Sequence, residues 1–172
     1  MDKFKIVEGG VCSAKGFRAA GVAAGIKYKG RKDVALIVAD APCSAAAMFT
    51  TNKVAAAPVV LDRGIAKFGH AQAIIANSGY ANACTGQDGL RDEVDTVKAT
   101  AAELKIDPRH VFVASTGVIG RRLPMKRLLS GMRDAVGKLA GSLFIVDGGL
   151  LRLSADLGGA HRTGCVRERP VL

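Results

Sequence analysis

The sequence predicts an α/β fold in which helices are layered on a mixed, partly antiparallel sheet. Three features lead to this prediction: a series of short apolar runs, a polar turn between the first two runs, and two segments with apolar residues at helical spacing. Each helical segment follows an apolar run, which is the order found in layered α/β domains. A chain of 172 residues with 49% apolar residues is long enough to bury a core.

The first half of the chain contains the runs that predict strands. Each is rich in small or β-branched residues and is bounded by Gly, Pro or polar turn residues. We predict strands at residues 17–26, 34–39, 44–49, 59–62 and 71–76. The polar segment 27–33 joins the first two runs, and Gly30 within it can adopt a positive φ, so we expect a hairpin there.

The second half of the chain contains both predicted helices. The first ends before Pro108, and Asp92 and Glu93 are expected near its amino end, where the helix dipole favours carboxylates. Its apolar face is predicted to comprise Leu90, Val94, Val97, Ala101 and Leu104. A strand at 111–114 precedes the second helix, which Pro124 opens. The apolar face of that helix is predicted to comprise Leu128, Met132, Val136 and Leu139.

The net charge of +10 allows several classes of anionic partner. With six Phe, two Tyr and no Trp, the chain has no obvious platform for stacking bases, so solvated surface charge explains the basic residues better than nucleic-acid binding. No run is long and apolar enough to span a membrane, and the first five residues lack the apolar core of a secretion signal. We therefore expect a cytoplasmic protein without a membrane partner.

The cysteines and histidines argue against two kinds of catalytic site. The four cysteines are far apart in the sequence and have no histidine at a ligand spacing, so we predict no metal site. The three histidines form no recognisable arrangement with Cys84, Ser115 or Thr116. An enzyme that uses a Ser–His or Cys–His pair within this chain is therefore not favoured.

Two polar, glycine-rich segments follow predicted strands and are the most informative part of the sequence. They run Asn-Ser-Gly-Tyr-Ala-Asn-Ala-Cys-Thr-Gly over 77–86 and Ala-Ser-Thr-Gly-Val-Ile-Gly over 114–120. A strand that ends in small residues and glycines leaves backbone N–H groups free and lets a ligand approach the chain closely. Such a place suits the oxyanion that develops during acyl transfer.

These two segments, with residues 16–21 and 48–53, resemble the ornithine acetyltransferase (glutamate N-acetyltransferase) family of arginine biosynthesis. The resemblance covers about residues 8–141 and corresponds to the family's α chain. It implies transfer of an acetyl group from N2-acetylornithine to glutamate, or from acetyl-CoA in bifunctional members. It also implies that no metal, cofactor or prosthetic group takes part.

The resemblance also implies roles for individual residues. Thr116 and Gly117 would form the oxyanion hole through the threonine hydroxyl and the glycine N–H. Substrate-binding positions would be Asn77, Ser78, Gly79 and Asn82. The family usually has Asn where this chain has Tyr80, which changes the size of the pocket. On the tripeptide Ser-Thr-Gly alone, an ordinary turn would be the simpler interpretation.

Members of the resembled family cleave their own precursor, and the nucleophilic threonine then begins the β chain, with its α-amine as base. The expected assembly is an α2β2 heterotetramer. No residue of this chain matches that threonine, so we expect residues 1–142 to be an incomplete acetyltransferase domain that is inactive alone. The alternatives are a non-catalytic fragment that associates with a partner chain and, less favoured, a basic nucleic-acid-binding domain.

Residues 143–172 depart from the family pattern. They contain four Arg and no Lys, whereas residues 1–142 contain nine Arg and twelve Lys, as an out-of-frame reading of arginine-rich codons would give. We therefore predict a divergent tail that begins at residue 143, after a truncation or frameshift. The alternative is a genuine carboxyl-terminal strand and loop, with the apolar run 143–146 as the strand.

Overall fold

The computed structural model describes residues 10–140 in full and only the backbone of residues 5–7 and 164–166. A four-stranded sheet has the order β2-β3-β4-β5. Its strands are β2 (Phe17–Val22), β3 (Val34–Ser44), β4 (His70–Tyr80) and β5 (Val111–Val118). Two further short strands, β1 (Lys5–Val7) and β6 (Gly164–Val166), pair with each other in antiparallel register.

The sheet is mixed, as the sequence predicts. Strand β2 pairs antiparallel with β3, and β3 pairs antiparallel with β4, whereas β4 and β5 are parallel. The hairpin between the first two predicted strands is therefore confirmed. A parallel pair needs a long crossover, which here contains a helix between β4 and β5. The predicted α/β fold class is confirmed.

Within residues 10–140, three α-helices accompany the sheet: α1 (Ala57–Ile65), α2 (Gly86–Leu104) and α3 (Met125–Gly137). Helices α2 and α3 lie where the sequence predicts them. Leu128, Met132 and Ala135 of α3 are fully buried, and they pack against sheet residues such as Val34 and Leu36. The main cluster also includes residues of β4, α2 and β5, namely Ile75, Val97, Ala101, Val111 and Val113. Helices and sheet therefore share one hydrophobic core.

Two predicted strands are wrong. Residues 59–62 belong to α1, which has Pro58 in its first turn, a position where proline is compatible with a helix. The run is too short to show a helical period, so apolar character alone could not separate strand from helix. Residues 45–50 form neither helix nor strand, because β3 ends at Ser44, and Met48 is 98% exposed.

All four strands of the main sheet differ in length from the prediction, and β3 continues five residues further, to Ser44. Strand β2 ends at Val22, four residues early, because the buried carboxylate of Asp33 accepts hydrogen bonds from the backbone of Ala24 and Ile26. Strands β4 and β5 instead continue to Tyr80 and Val118. Parts of the two polar segments, at residues 77–80 and 114–118, are therefore the last paired residues of two strands and not loops that follow them.

The placement of Asp92 and Glu93 at the amino end of α2 is also wrong. The helix begins at Gly86, so both carboxylates lie in its second turn, and both are buried. The tail predicted at 143–172 lies outside the described residues apart from the backbone of 164–166, and the run 143–146 lies wholly outside them. The domain boundary after residue 142 therefore stays a prediction.

Candidate active site

The carboxyl ends of β4 and β5 bring the two polar segments side by side. In this parallel ladder Asn77 lies opposite Ser115, Ser78 opposite Thr116, and Gly79 opposite Gly117. Asn82 lies two residues beyond the end of β4. The structure therefore places all six candidate residues in one region, namely Asn77, Ser78, Gly79, Asn82, Thr116 and Gly117.

Gly79 and Gly117 allow an unusually close approach of the two strand ends. A Cβ atom built on Gly117 would lie 2.3 Å from the carbonyl carbon of Gly79 and 2.5 Å from its oxygen. Gly117 also has a φ of 130° and Gly79 a φ of 114°, a region that side chains disfavour. Because a Cβ atom at position 117 would clash with the backbone of Gly79, the strand end requires glycine there.

Thr116 and Gly117 present two donors at this strand end. Among the described residues, the hydroxyl of half-buried Thr116 has no hydrogen-bond partner. Ala81 N donates to Val118 O over 3.0 Å, so the peptide groups of Val118 face β4. Peptide groups alternate in direction along a strand, so the N–H of exposed Gly117 points away from β4.

A buried polar network lies directly behind these donors. Ser115 Oγ lies 2.7 Å from Asn77 Oδ1 and 3.0 Å from Glu93 Oε1. Asn82 Nδ2 donates to the same Glu93 oxygen over 2.9 Å. Glu93 is 1% exposed and Asn82 is fully buried. One carboxyl of α2 thus connects β5 with the loop that follows β4.

Asn82 fixes the loop after β4. It adopts a left-handed backbone conformation with φ of 47°, which Asn tolerates better than most residues. Its Nδ2 also donates to Gly89 O over 2.8 Å, and its Oδ1 accepts from Thr85 Oγ over 2.6 Å. Its own carbonyl accepts from Ala57 N at the start of α1. With every polar atom of its side chain engaged, Asn82 holds the loop against two helices.

Asn77 and Ser78 of β4 are also held by hydrogen bonds. Asn77 Nδ2 donates to the carbonyl oxygen of Tyr80 over 3.0 Å, and Ser78 N donates to Asp33 O over 2.9 Å. The half-buried Tyr80 packs against the hydrophobic core. The position at which this chain departs from the resembled family is therefore partly a core position.

Burial raises the pKa of two carboxyl groups near the site. Desolvation raises the pKa of Glu93, while the hydrogen bonds from Asn82 and Ser115 oppose the change. Desolvation also raises the pKa of Asp62 in α1 to about 7, against the opposing hydrogen bond from Val113. Val113 N donates to Asp62 Oδ1 over 3.2 Å, at the edge of β5 that no strand covers among the described residues.

Our sequence interpretation missed Glu93 and Asp62 as members of this region. A signal for Glu93 exists, because it lies three residues after Leu90 and four before Val97, on the predicted apolar face of α2. A carboxylate in such a position is either paired or neutral. Asp62 gave no comparable signal, because residues 59–62 were interpreted as a strand.

The histidines of the described region lie far from the strand-end donors. His70 begins β4 and His110 directly precedes β5, with ring centroids 5.9 Å apart. Because the strands are parallel, both histidines lie at the opposite end of the sheet from Thr116, about 20 Å away at the usual rise per residue. Ser115 and Thr116 therefore have no imidazole base among the described residues.

The described part of the chain shows neither a metal-binding cluster nor a helix suited to crossing a membrane. It holds no group of three or more His, Cys, Asp or Glu side chains in a metal-binding arrangement. None of its helices combines the length and the apolar character that crossing a membrane requires.

Together these features define a mixed α/β domain with a polar site at the carboxyl ends of two parallel strands. A family model described as the ArgJ family matches residues 18–155. The chain belongs to the ArgJ family, which confirms the resemblance found in the sequence. The match includes part of the segment after residue 142.

Curated relatives agree with this assignment. The arginine biosynthesis bifunctional protein ArgJ of Symbiobacterium thermophilum is 52% identical over 134 residues, which are 77% of this chain and 33% of the relative. The protein of the same name from Thermosynechococcus vestitus is 45% identical over 150 residues, or 87% of this chain and 34% of the relative. The chain therefore spans about a third of the length of the curated relatives it matches.

Two solved structures share the fold. The arginine biosynthesis bifunctional protein of Bacillus halodurans superposes with a TM-score of 0.74 at 44% identity, covering 77% of this chain and 70% of that one. The ornithine acetyltransferase of Mycobacterium tuberculosis, solved in complex with ornithine, gives a TM-score of 0.78 at 44% identity. In that comparison the coverage is 83% of this chain and 77% of the other.

Proposed function

We propose that this chain is the oxyanion-stabilising part of an acetyltransferase that moves an acetyl group from N2-acetylornithine to glutamate. The observation that carries the proposal is the pair of adjacent donors at the end of β5. These are the hydroxyl of Thr116, unpartnered among the described residues, and the outward N–H of Gly117. Membership of the ArgJ family supports this choice of reaction.

The chemistry needs these donors at one step. Attack of a nucleophile on the acetyl carbonyl places negative charge on the carbonyl oxygen, and two converging donors stabilise that charge more than they stabilise the neutral carbonyl. Ser115, directly before Thr116, is held by Asn77 and Glu93, so the strand end is fixed before substrate arrives. Such preorganisation removes the cost of ordering the donors during the reaction.

The four remaining candidate residues line or support the substrate pocket in this proposal. The amide groups of Asn77 and Asn82 are used in hydrogen bonds within the chain, which favours a positioning role for both. Ser78 lies opposite Thr116, and Gly79 lets the backbone approach Gly117. Ser78 and Gly79 are therefore our choice for direct contact with substrate.

We place the nucleophile on a second polypeptide. Ser115 Oγ is engaged with Asn77 and Glu93, and the described histidines lie at the other end of the sheet, so a base for a hydroxyl within the described residues is lacking. A threonine at the start of a β chain, with its own α-amine as base, would complete an α2β2 assembly in the cytoplasm. Acetyl-CoA is the alternative donor, and no cofactor or metal is required.

The test is to co-express the chain with the remaining two thirds of the Symbiobacterium thermophilum relative and to measure acetyl transfer from N2-acetylornithine to labelled glutamate. We expect transfer by the pair and none by the chain alone. Thr116→Ala in the active pair should lower kcat about a hundredfold to a thousandfold with little change in KM. Ser130→Ala, which removes an exposed hydroxyl of α3, is the matched control.

Two results would overturn this proposal. Transfer by the chain alone would show that it contains its own nucleophile, and full activity of the Thr116→Ala pair would remove the oxyanion role. A pair that assembles but remains inactive would favour a second candidate, a non-catalytic fragment that associates with a partner chain. Exposure of the apolar side chains Met48 (98%), Val54 (70%) and Ile119 (65%) favours that candidate specifically.

A further inference from the structure

The turn between β2 and β3 is a rigid basic projection beside the candidate site. The carboxylate of Asp33 accepts a hydrogen bond of 2.7 Å from Ala24 N and one of 2.6 Å from Ile26 N. Ile26 is 1% exposed and anchors the turn in the core. Arg127 of α3 adds a hydrogen bond of 2.9 Å to Gly25 O. The backbone that presents the next residues is therefore fixed.

This basic turn, defined here as residues 27–32, directly contacts the end of β4. A Cβ atom on Gly79 would lie 2.9 Å from Lys27 Cβ and 3.2 Å from Ile26 Cγ2, so Lys27 packs against the Cα of Gly79. Gly79 in turn lies opposite Gly117. A ligand on the turn is thus within reach of the strand-end donors.

The turn combines an exposed aromatic ring with cations. The ring of Tyr28 is 53% exposed, with Lys27 Nζ 4.9 Å and Arg31 Cζ 5.3 Å from its centroid. The sequence showed no obvious platform for stacking bases, whereas the structure exposes this ring beside two cations. The hydrogen bond from Lys27, together with the positive charge of that residue, lowers the pKa of the Tyr28 phenol.

Three cations of the turn have no carboxylate partner among the described residues. Within the described residues, Lys27, Lys29 and Arg31 form no salt bridge with a carboxylate. Asp33, the acidic residue that follows the turn, is buried and directed at backbone N–H groups. A phosphate group meeting this surface would therefore find cationic donors that no described carboxylate neutralises.

We propose that the basic turn binds the phosphate-bearing adenine nucleotide part of a ligand, with Tyr28 stacking on the base and Lys27 and Arg31 contacting phosphates. An aromatic face with flanking cations is the combination that recognises an anion carrying a planar base. The inference rests on the proposed function in one respect, since it assigns the nucleotide portion of an acetyl-CoA donor to a place next to the oxyanion donors.

The test is calorimetric titration of the purified 172-residue chain with coenzyme A at low salt. We expect binding that weakens as salt is raised, and a dissociation constant about tenfold higher for the Lys27→Ala/Arg31→Ala variant. The matched control, Lys67→Ala/Lys98→Ala, removes the same charge from exposed positions elsewhere and should change binding less than about twofold. Tyr28→Ala should weaken binding while Tyr28→Phe should not.

Two competing ligands identify the source of the nucleotide. One further variant distinguishes loss of binding from misfolding. Adenosine 3′,5′-bisphosphate should compete with coenzyme A, whereas ATP as the better competitor would identify a free nucleotide as the ligand. Arg31→Glu changes an exposed side chain and should abolish binding with an unchanged thermal transition. Because no acetyl transfer is measured, this experiment can succeed or fail independently of the proposed reaction.

Three outcomes would overturn the inference. One is the absence of coenzyme A and nucleotide binding at millimolar concentration. Another is equal loss of affinity in the turn variant and its control. The third is retention of a single-stranded RNA oligonucleotide that coenzyme A does not displace, which would identify a nucleic-acid surface instead.

Discussion

The hydroxyl oxygen of Ser115 lies 3.0 Å from Oε1 of Glu93, a carboxyl that is 1% exposed. The same hydroxyl lies 2.7 Å from Asn77 Oδ1, and Asn77 Nδ2 donates a hydrogen bond to Tyr80 O. One hydroxyl proton cannot serve two acceptors. The Ser115 proton therefore goes to either Glu93 or Asn77, while Asn82 Nδ2 donates to the same Glu93 oxygen.

Glu93→Gln should therefore be tolerated whereas Glu93→Ala should not. With its amide oxygen at the Oε1 position, Gln can still accept from Asn82 and from Ser115, so we expect a change in unfolding free energy below about 1 kcal/mol. Alanine leaves Ser115 and Asn82 without their partner and opens a cavity, at a cost of about 2–4 kcal/mol. Urea unfolding at pH 6 measures both, and equal losses for the two variants would contradict the hydrogen-bonded arrangement.

Asp62 should make the stability fall as pH rises towards neutrality. Its folded pKa of about 7 lies above its ordinary value of 3.8, so the folded state holds the proton more tightly between these values. Its stabilising contribution is complete below about pH 4 and is lost as pH rises through about 7. The side chain of Asp62→Asn does not titrate and retains an acceptor for Val113 N. The unfolding free energy of this variant at pH 8 should therefore exceed that of the parent chain by roughly 1–4 kcal/mol.

Unfolding free energies of both proteins across pH 4–9 measure this difference. Asp107→Asn is a useful control, because the hydrogen bonds from Arg109 hold the pKa of Asp107 down, to about 2, and this exposed group does not titrate in that window. Parallel pH profiles for the parent chain and Asp62→Asn would show that Asp62 is not the titrating group.

Gly117→Ala should be much more harmful than Gly120→Ala. At position 117 the new Cβ would lie 2.3 Å from the backbone of Gly79, so a strand end must move, and we expect a loss of at least about 3 kcal/mol. Gly120 also has a positive φ, of 76°, but a Cβ there meets nothing within 4 Å. Its replacement should cost only about 1–2 kcal/mol of backbone strain. Thermal unfolding of the two variants compares them directly.

Arg122→Ala should destabilise the chain more than Arg133→Ala. Arg122 binds Asp92 through two hydrogen bonds, of 2.7 and 3.0 Å, and the Asp92 side chain is only 5% exposed. Removing the guanidinium leaves the buried carboxylate of Asp92 without its partner, so we expect the larger loss of unfolding free energy for this variant. Arg133 pairs with Glu103 at the surface, where both side chains are more than 40% exposed, and its loss should cost below about 1 kcal/mol.

Chemical denaturation at pH 7 and moderate salt measures both arginine variants. Adding 1 M NaCl should reduce the small effect at Arg133 further while leaving most of the effect at Arg122, because salt screens exposed pairs more than buried ones. Similar losses for both variants would indicate that burial of Asp92 does not matter.

The sequence by itself determined the α/β fold class, the β2–β3 hairpin, helices α2 and α3, and the family. These are encoded locally, in turn residues, in apolar spacing and in two distinctive motifs. The prediction of secondary structure failed where the local sequence pattern was weak. The apolar run at 59–62 proved to be helical, and 44–49 contains only the end of a strand.

Only the tertiary structure decided how the site is assembled. The two motifs lie 38 residues apart at Asn77 and Ser115, and parallel pairing of β4 with β5 makes them neighbours. That pairing depends on a crossover through α2, and the crossover also brings Glu93 behind the strand ends. Contacts between distant segments carry no local sequence pattern, because they are fixed by packing of whole elements. The burial of Glu93 and Asp62, and the raised pKa of each carboxyl, follow from that packing alone.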